Sequence, residues 1–406
     1  MNRPRSGFTL VELLVVISII GVLMGLLLPA VGAVREASRR NQCSTQIKNL
    51  SIAAITYENS KGEMPGYVQS FGRFTGSLDP SDPGNTGVDP HMKIGTWVVA
   101  LLPSLDAQPA YEHWTEDRYP IINDTGGGLG ATSGESGANY HTLAAPNLAV
   151  MQCPSNPVSV GEFGKNSYIA NTGMTTSGAA PGSFTTPTIN FLASQSRANG
   201  VFNNKYNVGL VSGKFVHSSE GPKFRLDDLK DGAGNTMLFS ENVQALPWHR
   251  AGFVDATEFE LAAATDTDVV FNATDSDVQA ARFLHGMVWH YADEESADTA
   301  MSAYWNQNGT GTAEPPSSIN TLWKINGGGT TVSQEIFTLA MTTGNSPDLA
   351  RPSSAHTDGV NAAMGDGGTR FITDNIDYRV YQALLTPRGK SSNVPWPEFV
   401  ITDDAF

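Results

Sequence analysis

GFTLVELLVVISIIGVLMGLLLPAVGAV, residues 7–34, decides the architecture of the N-terminal part of the chain. Between Leu13 and Val34, the only polar side chain is that of Ser18. At about 1.5 Å per helical residue, this run crosses the roughly 30 Å hydrocarbon core of a bilayer, whereas the apolar part of a secretory signal peptide has roughly 7–15 residues. We therefore expect a membrane-spanning helix over residues 13–34.

The flanks of this run predict its orientation. Arg3 and Arg5 precede it, and basic residues resist translocation across a membrane. We expect a single-pass protein with a cytoplasmic N-terminus and the rest of the chain outside, in the periplasm or at the cell surface.

The helix is expected to continue beyond the membrane. Apolar residues recur at steps of three and four through Ile47, Leu50 and Ala54, which predicts an amphipathic continuation. A helix from Thr9 to Asn59, ended by Gly62, would carry this apolar stripe against a head domain.

The start of the run resembles the class III signal of type IV pilins and type II secretion pseudopilins, on the residues GFTLVE (7–12) followed by LLVVI. The resemblance implies that residues 1–7 are a leader, that a prepilin peptidase cuts between Gly7 and Phe8, and that Phe8 is then N-methylated. It also implies a pilin-like helix over 8–60, an inner-membrane anchor, and partners among pilin-like subunits or the secretion machinery.

Glu12 and Pro29 are the predicted assembly residues. A carboxylate in lipid costs a few kcal/mol and calls for a partner, which the N-terminal amine of a neighbouring subunit would supply. The alternative is a plain anchor whose Glu12 rests at the headgroup level. Pro29 lies where many pilins carry a helix-kinking proline, although proline kinks a helix wherever it falls.

Charge bounds the kind of partner. The chain has 406 residues, with 25 Lys and Arg against 40 Asp and Glu and a net charge of −15. This balance argues against nucleic acid and anionic membrane surfaces as partners, and leaves cationic polymers, metal ions and basic patches open.

Cys43 and Cys153 are the two cysteines of the chain. Both lie outside the cytoplasm in the expected topology, where disulfides persist. We expect a bridge that staples the helix to the head, with two separately buried thiols as the alternative.

A second motif lies near the C-terminus, in SSAHTDGVNAAMGDGGTRFI (353–372). The Asp366-Gly367 step and the alternating flanks predict a β-hairpin. His356, nine residues and then Asp366-Gly367 resemble the H-X9-DG motif of the DUF1559 family, a prepilin-type family of planctomycete bacteria.

The expected fold class is α+β: a long N-terminal helix packed on an antiparallel β-sheet. The head would occupy residues 61–406, with the hairpin at 353–372. The acidic, turn-rich stretch 262–318 has few apolar runs and is interpreted as an insertion.

Chemistry-bearing side chains are few. His356 with neighbouring carboxylates is compatible with a metal site or a general base, but a structural histidine that fixes the turn is favoured. Asp231, Asn235 and Glu241 are candidate ligands for a structural Ca²⁺, although Asp and Asn in turns usually bond their own backbone. No other cofactor or metal is predicted, and the absence of nucleotide-binding, zinc-protease and nucleophile-elbow motifs predicts a protein that is not an enzyme.

Two functions remain open. The first is a structural subunit of a pilus-like or type II secretion-like assembly. The second is a non-polymerising, membrane-anchored module that binds a polysaccharide or a protein, with Trp289, Trp305 and Trp323 as a candidate platform.

Overall fold

The computed structural model describes residues 9–76, 78–82, 88, 91–122, 140–156, 163–175, 194–206, 210–211, 214–215, 221–250, 281–290, 321–328, 335–341, 345–394, 399 and 401. Residues 1–8, which include the expected leader, lie outside these ranges. In chain order the helices and strands are α1 (Leu10–Lys61), β1 (Val68–Phe74), β2 (His91–Thr96), α2 (Trp97–Leu101), α3 (Gln108–Thr115), β3 (Tyr168–Met174), β4 (Leu210–Val211), β5 (Lys214–Phe215), β6 (Met237–Glu241), β7 (Gly286–Trp289), α4 (Ser346–Leu349), β8 (Gly359–Met364), β9 (Thr369–Thr373) and α5 (Tyr378–Leu385).

Helix α1 has 52 residues and confirms the predicted long N-terminal helix. It begins after Thr9, whose hydroxyl accepts a hydrogen bond from the Glu12 N–H, and ends before Gly62 at a φ of 74°. Pro29 lies inside it without ending it. Length and composition suit the helix to crossing a membrane, and its first half makes no buried contact with the head.

The second half of α1 packs on the head through one face. Its buried residues, Cys43, Ile47, Leu50, Ser51, Ala53 and Ala54, follow the three- and four-residue spacing of an amphipathic helix. The same apolar core includes residues of α2 and β6, so the outer half of α1 is an integral part of the head.

The main sheet has five strands in the order β7-β3-β6-β8-β9. Its neighbours pair antiparallel except β3 and β7, which are parallel. Tyr168 and Ala170 of β3 join the core beneath α1, whereas Ile169 joins the core beneath α5. The sheet is therefore a middle layer between the long helix and α5.

The α+β prediction is confirmed, but the insertion interpretation is wrong for residues 281–290. Strand β7 lies within 262–318 and is buried along its length in the main sheet. Its apolar run, Gly286–Trp289, is too short to stand out from acidic flanks. Residues 262–280 and 291–318 lie outside the described part of the chain.

Lys93 on β2 is a buried cation that holds the end of α3. Its ammonium group donates hydrogen bonds to the carbonyl oxygens of His113, at 2.7 Å, and Glu116, at 2.5 Å. These carbonyls belong to the last turn of α3 and the residue after it, where a positive charge is favourable. Burial lowers the pKa of Lys93 to about 8, against the opposing charges of Asp117 and Glu116.

This lowered pKa predicts a pH dependence. The unfolded chain keeps its proton up to the ordinary lysine pKa of 10.5, so between pH 8 and 10.5 it binds more protons than the folded chain. The free energy of unfolding of the wild-type chain, relative to that of the Lys93→Met variant, should therefore rise by about 2–3 kcal/mol from pH 8 to pH 10.5. Urea titration of both chains in detergent measures the difference. A pH-independent difference between the two chains would contradict the assignment.

Candidate functional site: the junction between the long helix and the head

The hairpin formed by β8 and β9 lies along α1. The two strands pair antiparallel from Gly359 with Thr373 to Ala363 with Thr369. Three contacts follow the helix toward its N-terminal end: Ser51 Oγ to Met364 O at 3.0 Å, Ser44 Oγ to Thr369 Oγ1 at 3.1 Å, and the Arg40 guanidinium 3.3 Å from the centre of the Phe371 ring. The hairpin is thus a docking face for the outer half of α1.

The Asp366-Gly367 step forms the turn between the two strands. Gly367 has a φ of 81°, a conformation that side chains rarely adopt. The Asp366 Oδ1 atom accepts a hydrogen bond from the Gly368 N–H at 2.7 Å, which fixes the turn. A Cβ at Gly367 would lie 3.6 Å from the Ile55 side chain, so the turn itself abuts α1.

His356 lies before β8, between two carboxylates from distant parts of the chain. Its Nδ1 atom is 2.6 Å from Glu36 Oε1 on α1, and its Nε2 atom is 3.1 Å from Glu241 Oε1 at the end of β6. Carboxylates accept hydrogen bonds, so each ring nitrogen donates and the ring is an imidazolium. Burial alone would lower the pKa of His356, but the hydrogen bonds and negative charges of Glu241 and Glu36 raise it.

Both carboxylates have further partners that hold them in place. Glu241 accepts hydrogen bonds from the Asn361 backbone N–H at 2.7 Å and from its side-chain amide at 3.2 Å. Glu36 accepts from Arg39 Nε at 2.9 Å and from the Ser155 hydroxyl at 3.2 Å. The cluster therefore joins α1, β6, β8 and the segment around Ser155.

The disulfide between Cys43 and Cys153 lies directly beside this cluster. The Cys153 sulfur is 3.6 Å from His356 Nε2, and the bridge links α1 covalently to the head. We name the set Glu36, Cys43, Cys153, Glu241 and His356 the His356 cluster. Its charged and covalent links meet at the first turns of α1 after the apolar run.

The segment from His356 to the Asp366-Gly367 turn approaches α1 at two separate places. His356 contacts Glu36, whereas the turn lies beside Ile55, and the nineteen residues between these helix positions correspond to about 28 Å. Strand β8 and the residues on either side of it connect the two places.

The three candidate calcium ligands do not form one site. Asn235 donates its side-chain amide to the Asp231 carbonyl, and the Asp231 carboxylate accepts from the Gly389 N–H, as expected of turn residues. Glu241 lies at the opposite end of β6 and is bound to His356.

Other predicted residues are placed as follows. The Glu12 carboxylate accepts from the Thr9 backbone N–H and hydroxyl, each at 2.8 Å. His285 and His290 are buried, and burial lowers the pKa of each to about 3.

Two of the three tryptophans of the candidate binding platform belong to the core. Trp289 and Trp323 are buried, and Trp305 lies outside the described residues. The two buried indoles therefore give no exposed surface on which a sugar ring could stack.

Sequence reasoning missed Glu36 and Asn361. Glu36 is the first acidic residue after the apolar run, which was the one available signal. Nothing in the sequence pairs it with His356, which is 320 residues away.

Comparisons with known proteins give two family matches and one relative. Residues 32–379 match the family model described as "Protein of unknown function (DUF1559)", and residues 2–28 match the one described as "Prokaryotic N-terminal methylation motif". The fimbrial protein of Neisseria meningitidis serogroup B (strain ATCC BAA-335 / MC58) is 34% identical over 77 residues, which are 19% of this chain and 45% of that relative. The match thus covers less than half of the relative. No solved structure matches this chain.

Proposed function

The chain belongs to the DUF1559 family and is a type IV pilin-like protein. From this premise we propose that it is a structural subunit. A prepilin peptidase would process it, and it would then be incorporated into an exported assembly. The peptidase would cut between Gly7 and Phe8 and methylate Phe8. The apolar half of α1 would anchor the subunit in the inner membrane with the head outside. The assembly would be pilus-like or type II secretion-like, and the role structural rather than catalytic.

The observation that carries this proposal is the division of α1 into two halves. One face of the outer half is buried in the head, whereas the large apolar side chains from Leu10 to Val34 are exposed, with Leu28 at 80%. An apolar surface of this length needs lipid or other helices around it. A helix that leaves the bilayer and packs against the helices of other copies is surrounded first by lipid and then by other helices.

Glu12 supports assembly through its position and its bonds. In the single chain its carboxylate is satisfied by Thr9, which reduces the cost of keeping it at the membrane before assembly. In an assembly, the N-terminal amine of a neighbouring subunit would offer a charged partner for the same oxygens.

Leader removal is tested at the cleavage site. The Gly7→Leu change should block processing, because it places a bulky side chain at the scissile bond. Intact mass and N-terminal sequencing of the full chain should then find the leader retained in essentially all molecules. A mature N-terminus at Phe8 in this variant would overturn the peptidase assignment.

Assembly is tested at the Glu12 carboxylate. The Glu12→Ala variant should be processed normally, yet its filament yield by electron microscopy should fall at least tenfold. Ser18→Ala is the matched control, because Ser18 bonds only the Leu14 carbonyl within the same helix. Wild-type filament yield in Glu12→Ala, or processed wild-type protein that never forms filaments, would favour the non-polymerising anchored module instead.

A further inference from the structure

The His356 cluster places an imidazole and a carboxylate beside the two cysteine sulfurs, and a disulfide does not need these groups. Cys43, Cys153, Glu241 and His356 each place one ligand atom within 4.8 Å of the others, and all four side chains are buried. They come from four different segments of the chain: α1, the turn after residue 152, β6 and the segment before β8. Only the folded head brings them together.

We propose that, in the dithiol state of the chain, Cys43, Cys153, His356 and Glu241 bind one Zn²⁺ ion. Two sulfurs, one imidazole nitrogen and one carboxylate oxygen are ligands that zinc accepts in four-coordinate sites. The disulfide and the metal site are then alternative states of one junction, and each ties α1 to the head. The inference does not depend on whether the chain polymerises.

Two of the present distances are close to those of tetrahedral coordination, and the four ligand atoms lie within 4.8 Å of one another. Bond lengths of about 2.0–2.3 Å to zinc place neighbouring ligand atoms roughly 3.3–3.8 Å apart. His356 Nε2 lies 3.6 Å from the Cys153 sulfur and 3.1 Å from Glu241 Oε1. The two sulfurs separate when their bond is absent, and the Cα atoms of the cysteines are 5.1 Å apart.

The surrounding groups orient the ligands as they do around known metal ions. A histidine that binds a metal through one nitrogen usually donates its other N–H to a carboxylate, and Glu36 occupies that position at His356 Nδ1. Asn361 holds Glu241 through its backbone N–H. Arg39 bonds Glu36 and offsets the charge of this outer carboxylate.

Proton balance is simple. Binding one Zn²⁺ releases the two thiol protons and the proton on His356 Nε2, while the Nδ1 proton remains on the hydrogen bond to Glu36. Two thiolates and the Glu241 carboxylate then leave the site with one net negative charge.

The test uses the full chain made without its disulfide. Cell-free synthesis in detergent under a phosphine reductant keeps both sulfurs as thiols, and the probe is Zn²⁺ alone. We expect one zinc per chain after size-exclusion chromatography and at least tenfold slower alkylation of the two cysteines. The His356→Gln chain and the Cys43→Ser/Cys153→Ser chain should each lose this zinc.

Glu36→Gln is the matched variant, because Glu36 orients His356 without being a ligand. It should still take up one zinc at saturation, with roughly 10–100-fold weaker affinity. Absence of zinc from the wild-type dithiol chain, or a chain that stays unfolded in zinc, would overturn the proposal. So would undiminished zinc in His356→Gln, which would mean adventitious binding by thiols.

Discussion

The Cys43→Ser/Cys153→Ser chain should unfold with a free energy about 4–5 kcal/mol lower than that of the oxidised wild-type chain. The bridge spans 110 residues, and in the chain-entropy model the stabilisation grows with the length of the loop that it closes. Urea denaturation in detergent with a chelator present, followed by tryptophan fluorescence, measures the difference.

Ser44→Ala is the control for this experiment. Ser44 also links α1 to the head, through a hydroxyl contact with Thr369, and its loss should cost about 1 kcal/mol or less. If the double serine variant lost no more stability than Ser44→Ala does, the bridge would contribute no constraint on the unfolded chain.

The free energy of unfolding of the His356→Ala variant should be about 3–5 kcal/mol lower than that of the wild-type chain, because the change leaves the Glu241 carboxylate buried without its cationic partner. Glu36 is less buried, with 28% of its side chain exposed, so Glu36→Gln should cost about 1 kcal/mol. The double variant should lose less than the two single losses added together, since both remove the same contact.

Denaturation of the four chains of this cycle, with the disulfide intact, measures these values. A His356→Ala chain no less stable than Glu36→Gln would refute a charged link at this position. Additive losses would mean that the two residues act independently.

Local patterns predicted the parts of the structure that depend on local sequence. Helix α1 followed from an apolar run and a spacing of three and four residues, and the turn at Asp366-Gly367 followed from two residues that accept its backbone conformation. Strand β7 did not follow, because four apolar residues in an acidic stretch carry no period, and its parallel pairing with β3 is set by tertiary packing.

Only some residues of the candidate site were predicted from the sequence. His356 and Cys153 were singled out by motif and by residue type, but their meeting with Glu36 and Glu241 depends on the order of strands in the sheet. Glu241 was assigned to the wrong neighbours for the same reason: Asp231 and Asn235 are close to it in sequence, yet a strand separates them from it in space.

The arrangement of contacts along α1 has a mechanical consequence. A pull on the anchored end acts along α1, and the contacts between α1 and the hairpin follow one another along the helix. Force entering from Val34 meets the ionic link at Glu36 first and the covalent link at Cys43 next. The weaker hydrogen bond at Ser51 lies behind that bridge and bears little of the tension.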